Sequence, residues 1–285
     1  MSISNTQPAV ENGAQAGLSD SEVARYHADG FVVPTWWVPS HDVDHLRSIL
    51  DRLIGESPGV RPEHLVLRWG GGDAALEAHT AFLDFARTPA LLDIVERLLG
   101  PDLICWGAHM FCKPAGDGLV VPWHQDGDYW SIRPLATCTV WVALDRSGPE
   151  NGCLRVIPGS HKAATGLPHR KVEREDWALD QTLADGTFDP SDAVDVVLEP
   201  GQMSIHDVFM IHGSNANHST HRRAGLAIRY MPATSLYDRS IKMPGGAAAI
   251  RQDMSQRPIY LVRGEDRAGN DFTIGQDRPF AVGGD

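Results

Sequence analysis

His124-Gln125-Asp126 sets an imidazole and a carboxylate two residues apart. On an extended strand residues i and i+2 share a face, so both side chains can reach one ion. Far downstream, Met210-Ile211-His212-Gly213-Ser214 offers a second histidine at an apolar strand end, and Arg223 opens the next apolar run. Two neutral imidazoles and one carboxylate on one face of a metal leave three positions open, the set that suits Fe(II) and O2 activation. Arg223 meets a different need, a permanently charged planar fork for a carboxylate. Together these residues point to an enzyme using Fe(II), O2 and 2-oxoglutarate. The rival third ligand is His206, in His206-Asp207, which lacks the following Gly-Ser and a well-placed arginine.

Strands must carry these groups, and the chain has them where they are needed. From about residue 102 to 232 it reads as short runs rich in Val, Ile, Trp and Thr, broken by Pro-Gly and Gly-Pro turns. The runs are Leu103 to Lys113, Thr137 to Leu144, Cys153 to Ile157, Val194 to Leu198, Gln202 to His206 and Arg223 to Met231. Pro122-Trp123 before His124 and Gly127 after Asp126 place the metal motif at a strand end. A hairpin through Asn215 to Arg222 would set His212 and Arg223 over one cavity. Helices precede the strands. Ser19 or Asp20 caps one that runs to Asp29 and stops at Gly30, before a strand at Phe31 to Val33. Ser40 caps a second, with Val43, Leu46, Leu50, Leu53 and Ile54 on one face. Thr88-Pro89 opens a third that Gly100 ends. Helices followed by many short strands predict a mainly β fold, a double-sheet jelly roll of the cupin-like kind with helices on the outside. Residues 18–285 read as one oxygenase domain. Met1 to Gly17 reads as a polar, disordered leader. The charged, aperiodic stretch from about 163 to 192 reads as a lid insertion, and the chain after Pro244 as an irregular tail.

Several motifs resemble the phytanoyl-CoA dioxygenase family of Fe(II)/2-oxoglutarate-dependent oxygenases. They are Val121-Pro-Trp-His-Gln-Asp-Gly-Asp-Tyr-Trp130, Val140-Trp-Val-Ala-Leu-Asp145, Pro149-Glu-Asn-Gly-Cys-Leu-Arg-Val-Ile-Pro-Gly-Ser-His161 and His212-Gly-Ser-x-x-Asn217. The resemblance covers about residues 18 to 235. It implies a double-stranded β-helix core and 2-oxoglutarate decarboxylated to succinate. It also implies His124, Asp126 and His212 as iron ligands, and Arg223 on the distal carboxylate of 2-oxoglutarate with Ser214 assisting. Halogenating members replace the metal-binding carboxylate with a small residue. This chain keeps Asp126, so hydroxylation is the expected outcome, with desaturation, ring closure and epimerisation sharing the same oxidant.

Neighbouring residues carry two readings each. Gln125 alternates off the metal face; the resemblance implies contact with 2-oxoglutarate, and a structural hydrogen bond is the alternative. Trp141 either packs in the core or walls the cosubstrate. Lys113 either enters the site or ends a solvated strand. Asp128, Tyr129 and Trp130 either form a rim suited to an amine or quaternary ammonium, through charge and cation–π contact, or make a loop that packs on itself. His109, on the strand entering the site, is a pocket-lining candidate. The expected substrate is a small polar metabolite, an aminophosphonate or amino acid derivative first, with an acyl-CoA or natural-product intermediate as the alternative. A non-redox hydrolase or isomerase on the same metal residues is the rival class.

Bulk properties narrow the partners. The net charge of −12 over 285 residues argues against nucleic acid, which requires a basic face. No apolar run approaches the roughly 18–20 residues that span a bilayer. Four cysteines without a Cys-x-x-Cys pair fit buried thiols in a reducing cytoplasm.

Overall fold

The structure, a computed structural model, describes residues 2–4, 17–65, 73–127, 130–241 and 254–275. Of the segment read as a leader, Ser2–Ser4 (β1) departs from disorder by pairing in parallel with Val194–Val197 of the core.

The helices form where their caps and stripes require. In Asp20–Asp29 (α1), Ser19 accepts from the Glu22 amide while the Glu22 carboxylate accepts from the Ser19 amide, closing the first turn reciprocally. Gly30 ends the helix in the left-handed region, φ 80°. Its place is tight as well as left-handed: a side chain there would run into His161 and Met210. Phe31–Val32 (β2) follows. In Ser40–Gly55 (α2) the expected cap shifts by one: Pro39 is the capping residue, makes no side-chain bond, and Ser40 is already helical. Val43, Leu46, Ile49 and Leu50 are buried on one face. Pro62–Leu65 (α3) and Asp73–Ala86 (α4) were not anticipated; α4 buries Phe82 and Phe85. Pro89–Leu99 (α5) starts on its proline and stops at Gly100 as expected.

The strands then build two facing sheets. They are Leu103–Lys113 (β3), Val121–His124 (β4), Ile132–Arg133 (β5), Cys138–Ala143 (β6), Leu154–Val156 (β7), His169–Lys171 (β8), Gln181–Leu183 (β9), Val194–Val197 (β10), Met203–Asp207 (β11), His212–Ser214 (β12), Arg223–Pro232 (β13), Leu236–Tyr237 (β14) and Tyr260–Arg263 (β15). The major sheet has the order β15-β3-β13-β6-β11-β2 and the minor sheet β1-β10-β7-β12-β4. The architecture is the jelly roll, with helices on the outer face of the major sheet. Two features differ from expectation. The supposed tail supplies β15, an edge strand beside β3. His212 and Arg223 do not form a hairpin, because β12 lies in the minor sheet and β13 in the major one.

Alternation on the major sheet separates packing from chemistry. Ala224, Leu226, Ile228 and Tyr230 of β13 pack with Met110 and Cys112 of β3, Val140 and Val142 of β6, and the helices' Leu46, Leu50, Phe82 and Leu91. The intervening residues Arg223, Ala227 and Arg229, with His109, Phe111 and Lys113 from β3 and Thr139 and Trp141 from β6, line the cavity between the sheets. The stretch from 163 to 192 folds into the β8–β9 hairpin and lies along β4: the Val120 amide donates to the Asp176 carbonyl, the Val120 carbonyl accepts from the Ala178 amide, and Thr182 Oγ1 donates to the Trp123 carbonyl.

Candidate active site

Cross-strand register brings the metal residues together. His212 of β12 is the register partner of His124 of β4, so the two imidazoles stand side by side with ring centres 4.2 Å apart. Gly213 permits this approach, since a side chain there would press on the Val121 carbonyl. Asp126 lies just past the end of β4, its Oδ1 3.7 Å from His124 Nε2 and 4.0 Å from His212 Nε2. All three are buried, and their ligand atoms lie within 4.8 Å of one another.

The donor set fits a divalent first-row metal. His124 Nδ1 faces the Pro122 carbonyl at 2.8 Å and His212 Nδ1 the Met210 carbonyl at 3.0 Å. A carbonyl only accepts, so each Nδ1 carries a proton and each Nε2 is the nitrogen left to face a metal ion. Burial, with His124 adding to it, holds His212 well below the ordinary histidine range, hence neutral. Burial pushes the Asp126 carboxyl up, but the imidazoles of His124 and His206 outweigh it and hold the group well below the usual range. Two imidazole nitrogens and one carboxylate oxygen converge, a set that would hold a single divalent first-row metal ion. His206 is outside this trio. Its Nε2 is 3.8 Å from the other Asp126 oxygen, and neither ring nitrogen has a hydrogen-bond partner.

At one end of the cavity Arg223 pairs in register with Lys113. Arg223 Nη2 donates to Ser214 Oγ at 3.5 Å, its guanidinium stands 5.4 Å from the Trp141 ring centre, and its buried Nε has no partner. No carboxylate among the described residues forms an ion pair with it. Burial accordingly pushes the guanidinium down to about 10, which leaves it charged at neutral pH and lacking a counter-ion. Gly225 makes the arrangement possible, because any side chain there would overlap the Trp141 indole. Lys113 also lines the cavity, yet its Nζ donates to the backbone carbonyls of Leu119, Ser214 and Asn215. It braces the end of β12 against β3 rather than ending a solvated strand.

The remaining candidates divide. Trp141 and His109 line the cavity, as does Trp130. Gln125 does not: it is buried, donates to the Phe209 carbonyl and accepts from the Leu167 amide, so it ties the metal motif to the insertion. Asp128 and Tyr129 lie outside the described residues. A cation of the chain itself already stands against the Trp130 ring: Arg229 lies 5.2 Å from the ring centre. Sequence reasoning missed Thr139, Arg229 and Arg257 on the cavity wall. Alternation from Arg223 would have found Arg229; nothing in the sequence places Arg257 there. The described lining encloses about 160 Å3.

The family profile described as phytanoyl-CoA dioxygenase matches residues 26–225. This chain belongs to the phytanoyl-CoA dioxygenase family. Among its relatives is the L-proline trans-4-hydroxylase of Streptomyces griseoviridis, 30% identical over 80% of this chain and 92% of that one. The probable α-ketoglutarate-dependent hypophosphite dioxygenase of Stutzerimonas stutzeri is 32% identical over 52% of this chain, and the match spans about half the length of that protein, 51%. Among solved structures the non-heme monooxygenase ThoJ aligns with a TM-score of 0.66 at 28% identity, covering 87% of this chain and 85% of that one. CytC3 with Fe(II) and α-ketoglutarate shares the fold, TM-score 0.58 at 24% identity, over 90% and 93% of the two chains. The phytanoyl-CoA dioxygenase relatives are Fe(II)/2-oxoglutarate-dependent oxygenases, hydroxylases among them, and the His-Asp-His metal site of that class is present here. No helix among the described residues is long and apolar enough to cross a membrane.

Proposed function

We propose that this protein hydroxylates a small polar metabolite, with His124, Asp126 and His212 holding Fe(II) and Arg223 holding 2-oxoglutarate. The observation that carries this reading is the buried Arg223, charged and without a carboxylate partner among the described residues, in the cavity that the metal residues also line. A buried cation without a counter-ion is costly unless a ligand supplies one. The distal carboxylate of 2-oxoglutarate is that counter-ion, and Ser214 adds a hydroxyl beside it. A hydrolase or isomerase on the same metal residues has no use for this arginine.

Bound iron, with 2-oxoglutarate and O2, supplies the oxidation of a substrate C–H and yields succinate and CO2. The chain's own part is orientation and exclusion of water. Trp141 walls the cosubstrate end against Arg223. The β8–β9 insertion lies over β4 and contributes Ala178 and Leu179 to the lining. The confined volume favours a small molecule over an acyl-CoA, being below the roughly 300–1,000 Å3 of sites for drug-sized ligands. Retention of Asp126 supports hydroxylation over halogenation. Two relatives carry names that specify small acid-bearing substrates, L-proline and hypophosphite. Four free, buried cysteines accord with a reducing cytoplasm.

Anaerobic reconstitution with Fe(II) and 2-oxoglutarate, followed by exposure to O2 and a panel of small metabolites, tests the reading through succinate release. At least one compound should raise succinate well above the uncoupled background. Failure of Fe(II) and 2-oxoglutarate to bind together would overturn it.

A further inference from the structure

The cavity has a second cationic end that 2-oxoglutarate does not use. Inner-face positions on β13 run from Arg223 to Arg229, a separation of roughly 20 Å at about 3.3 Å per residue. A five-carbon diacid between Arg223 and the metal residues leaves the Arg229 end vacant for another molecule. There the register aligns one residue from each of four strands. His206 of β11 pairs with Thr139 of β6, Thr139 pairs with Arg229 of β13, and Arg229 pairs with Gly107 of β3. Thr139 Oγ1 donates to Asp126 Oδ2 at 3.4 Å, which fixes this row beside the metal carboxylate.

Gly107 is the feature that assembles a second guanidinium there. A side chain on it would stand 2.8 Å from Arg257 Nη1, so its absence lets Arg257 lie over the strand opposite Arg229. The register shift at the same place brings Trp106 to the cavity wall, and both guanidinium carbons stand 5.7 Å from its ring centre. Trp130 stands against Arg229 on the same side, its ring centre 5.2 Å from the guanidinium carbon and 4.4 Å from that of Trp106. Arg229 Nη1 lies 2.6 Å from His109 Nδ1; an arginine only donates, so Nδ1 accepts and the imidazole proton sits on Nε2. Among the described residues Arg229 forms no ion pair, and its buried Nε has no partner. Two cations and an imidazole donor thus line one wall, against the edge-to-face indoles of Trp106 and Trp130.

We propose that Arg229, Arg257 and His109 form the substrate subsite and bind an oxyanion of the substrate, a carboxylate or a phosphorus oxyacid. The anion sits beside the metal residues and presents its neighbouring C–H to them. It differs from the amine-binding role expected for the Trp130 rim, because the cation beside that ring is the chain's own Arg229. It rests on the Fe(II)/2-oxoglutarate reading above.

The test uses the full chain loaded anaerobically with Fe(II) and 2-oxoglutarate. Matched probes separate the two sources of charge: L-proline against L-prolinamide, and 2-aminoethylphosphonate against ethanolamine, with inorganic phosphite as the bare anion. Binding is read by tryptophan fluorescence, since Trp106 and Trp130 touch the subsite, and turnover by succinate release after O2. The acidic member of at least one pair should bind and its neutral counterpart should not. Arg229→Gln should weaken that acid by about 10- to 100-fold, Arg257→Gln should do the same, and Arg229→Lys should recover part of the loss. The affinity for 2-oxoglutarate, read from the absorption of its Fe(II) complex, should stay unchanged in all three variants. Equal binding of acids and neutral counterparts overturns the proposal, as does an Arg229→Gln effect on 2-oxoglutarate alone. If Fe(II) and 2-oxoglutarate bind normally but no acid does, the subsite is wrong and the enzyme reading stands. If they do not bind, the fault lies in the earlier reading.

Discussion

His124 and His212 face each other in register across β4 and β12, although 88 positions separate them in the chain (212 minus 124). Each ring is pinned through Nδ1 to a carbonyl two residues before it, Pro122 and Met210. Orientation of both lone pairs is therefore set by the backbone before any ion arrives. Replacing His212 with Ala should abolish Fe(II) binding measured by anaerobic titration. Loss of His206, which sits beside Asp126 without completing the trio, should weaken binding by about 10- to 100-fold at most. The reverse ranking would make His206 the third ligand.

Arg223→Ala should act on a different quantity. Breaking a buried charge pair by removing one partner costs about 3–5 kcal/mol, on the order of a hundredfold or more in affinity. The 2-oxoglutarate dissociation constant should rise by that factor while Fe(II) affinity changes little. Equal 2-oxoglutarate affinity in the variant and the parent would remove the assignment.

Gly225→Ala should reach the same site without touching a charge. The new methyl overlaps the Trp141 indole, which must move away from Arg223. Overpacking of this kind costs about 1–3 kcal/mol of stability. The expected result is a lower urea midpoint together with weaker 2-oxoglutarate binding. A stability loss with unchanged 2-oxoglutarate affinity would show that Trp141 does not wall that end.

Tyr230→Phe tests the join between helices and sheet. The phenol of Tyr230, fully buried on β13, donates to the Ala86 carbonyl at the end of α4 at 2.9 Å. Removing the hydroxyl leaves a buried carbonyl short of its donor, at a cost of about 1–3 kcal/mol. Urea denaturation should show a lower midpoint with an unchanged slope, and 2-oxoglutarate affinity should stay as it is.

Glu22 supplies a pH dependence. Burial raises its carboxyl, but hydrogen bonds from Ser19 and Thr35 outweigh burial and lower it below the ordinary 4.5. A depressed acid binds fewer protons when folded than when unfolded. Its stabilisation is therefore complete above about 4.5 and fades as the pH falls through the lower folded value. The stability gap between the parent and Glu22→Gln should be constant near neutrality and shrink in acid. A gap that widened in acid would reverse the sign.

What could be read from the chain was set by short-range physics. The two-residue spacing of His124 and Asp126 flagged the metal motif, although Asp126 lies past the end of β4, and β-branched runs located β3, β6, β10, β11 and β13 within a residue or two. Ser19 with Glu22, Pro89 and Gly100 located the ends of two helices, because a cap is decided within one turn. Helix α4 escaped notice because burial of Phe82 and Phe85 between other helices, rather than a cap or a clean stripe, supports it. Gln125 was ambiguous for a similar reason: its partners, Phe209 and Leu167, lie far along the chain.

The sequence by itself determined the residue types of the metal trio, the arginine, and the alternating strands that carry them. Tertiary structure alone decided which ends of those strands meet. It split His212 and Arg223 between two sheets, turned the presumed tail into an edge strand, and laid Arg257 over Gly107 opposite Arg229. Such juxtapositions depend on pairing register between distant segments and on the space a missing side chain leaves. Neither is encoded in any local window, because each is fixed only when two surfaces pack.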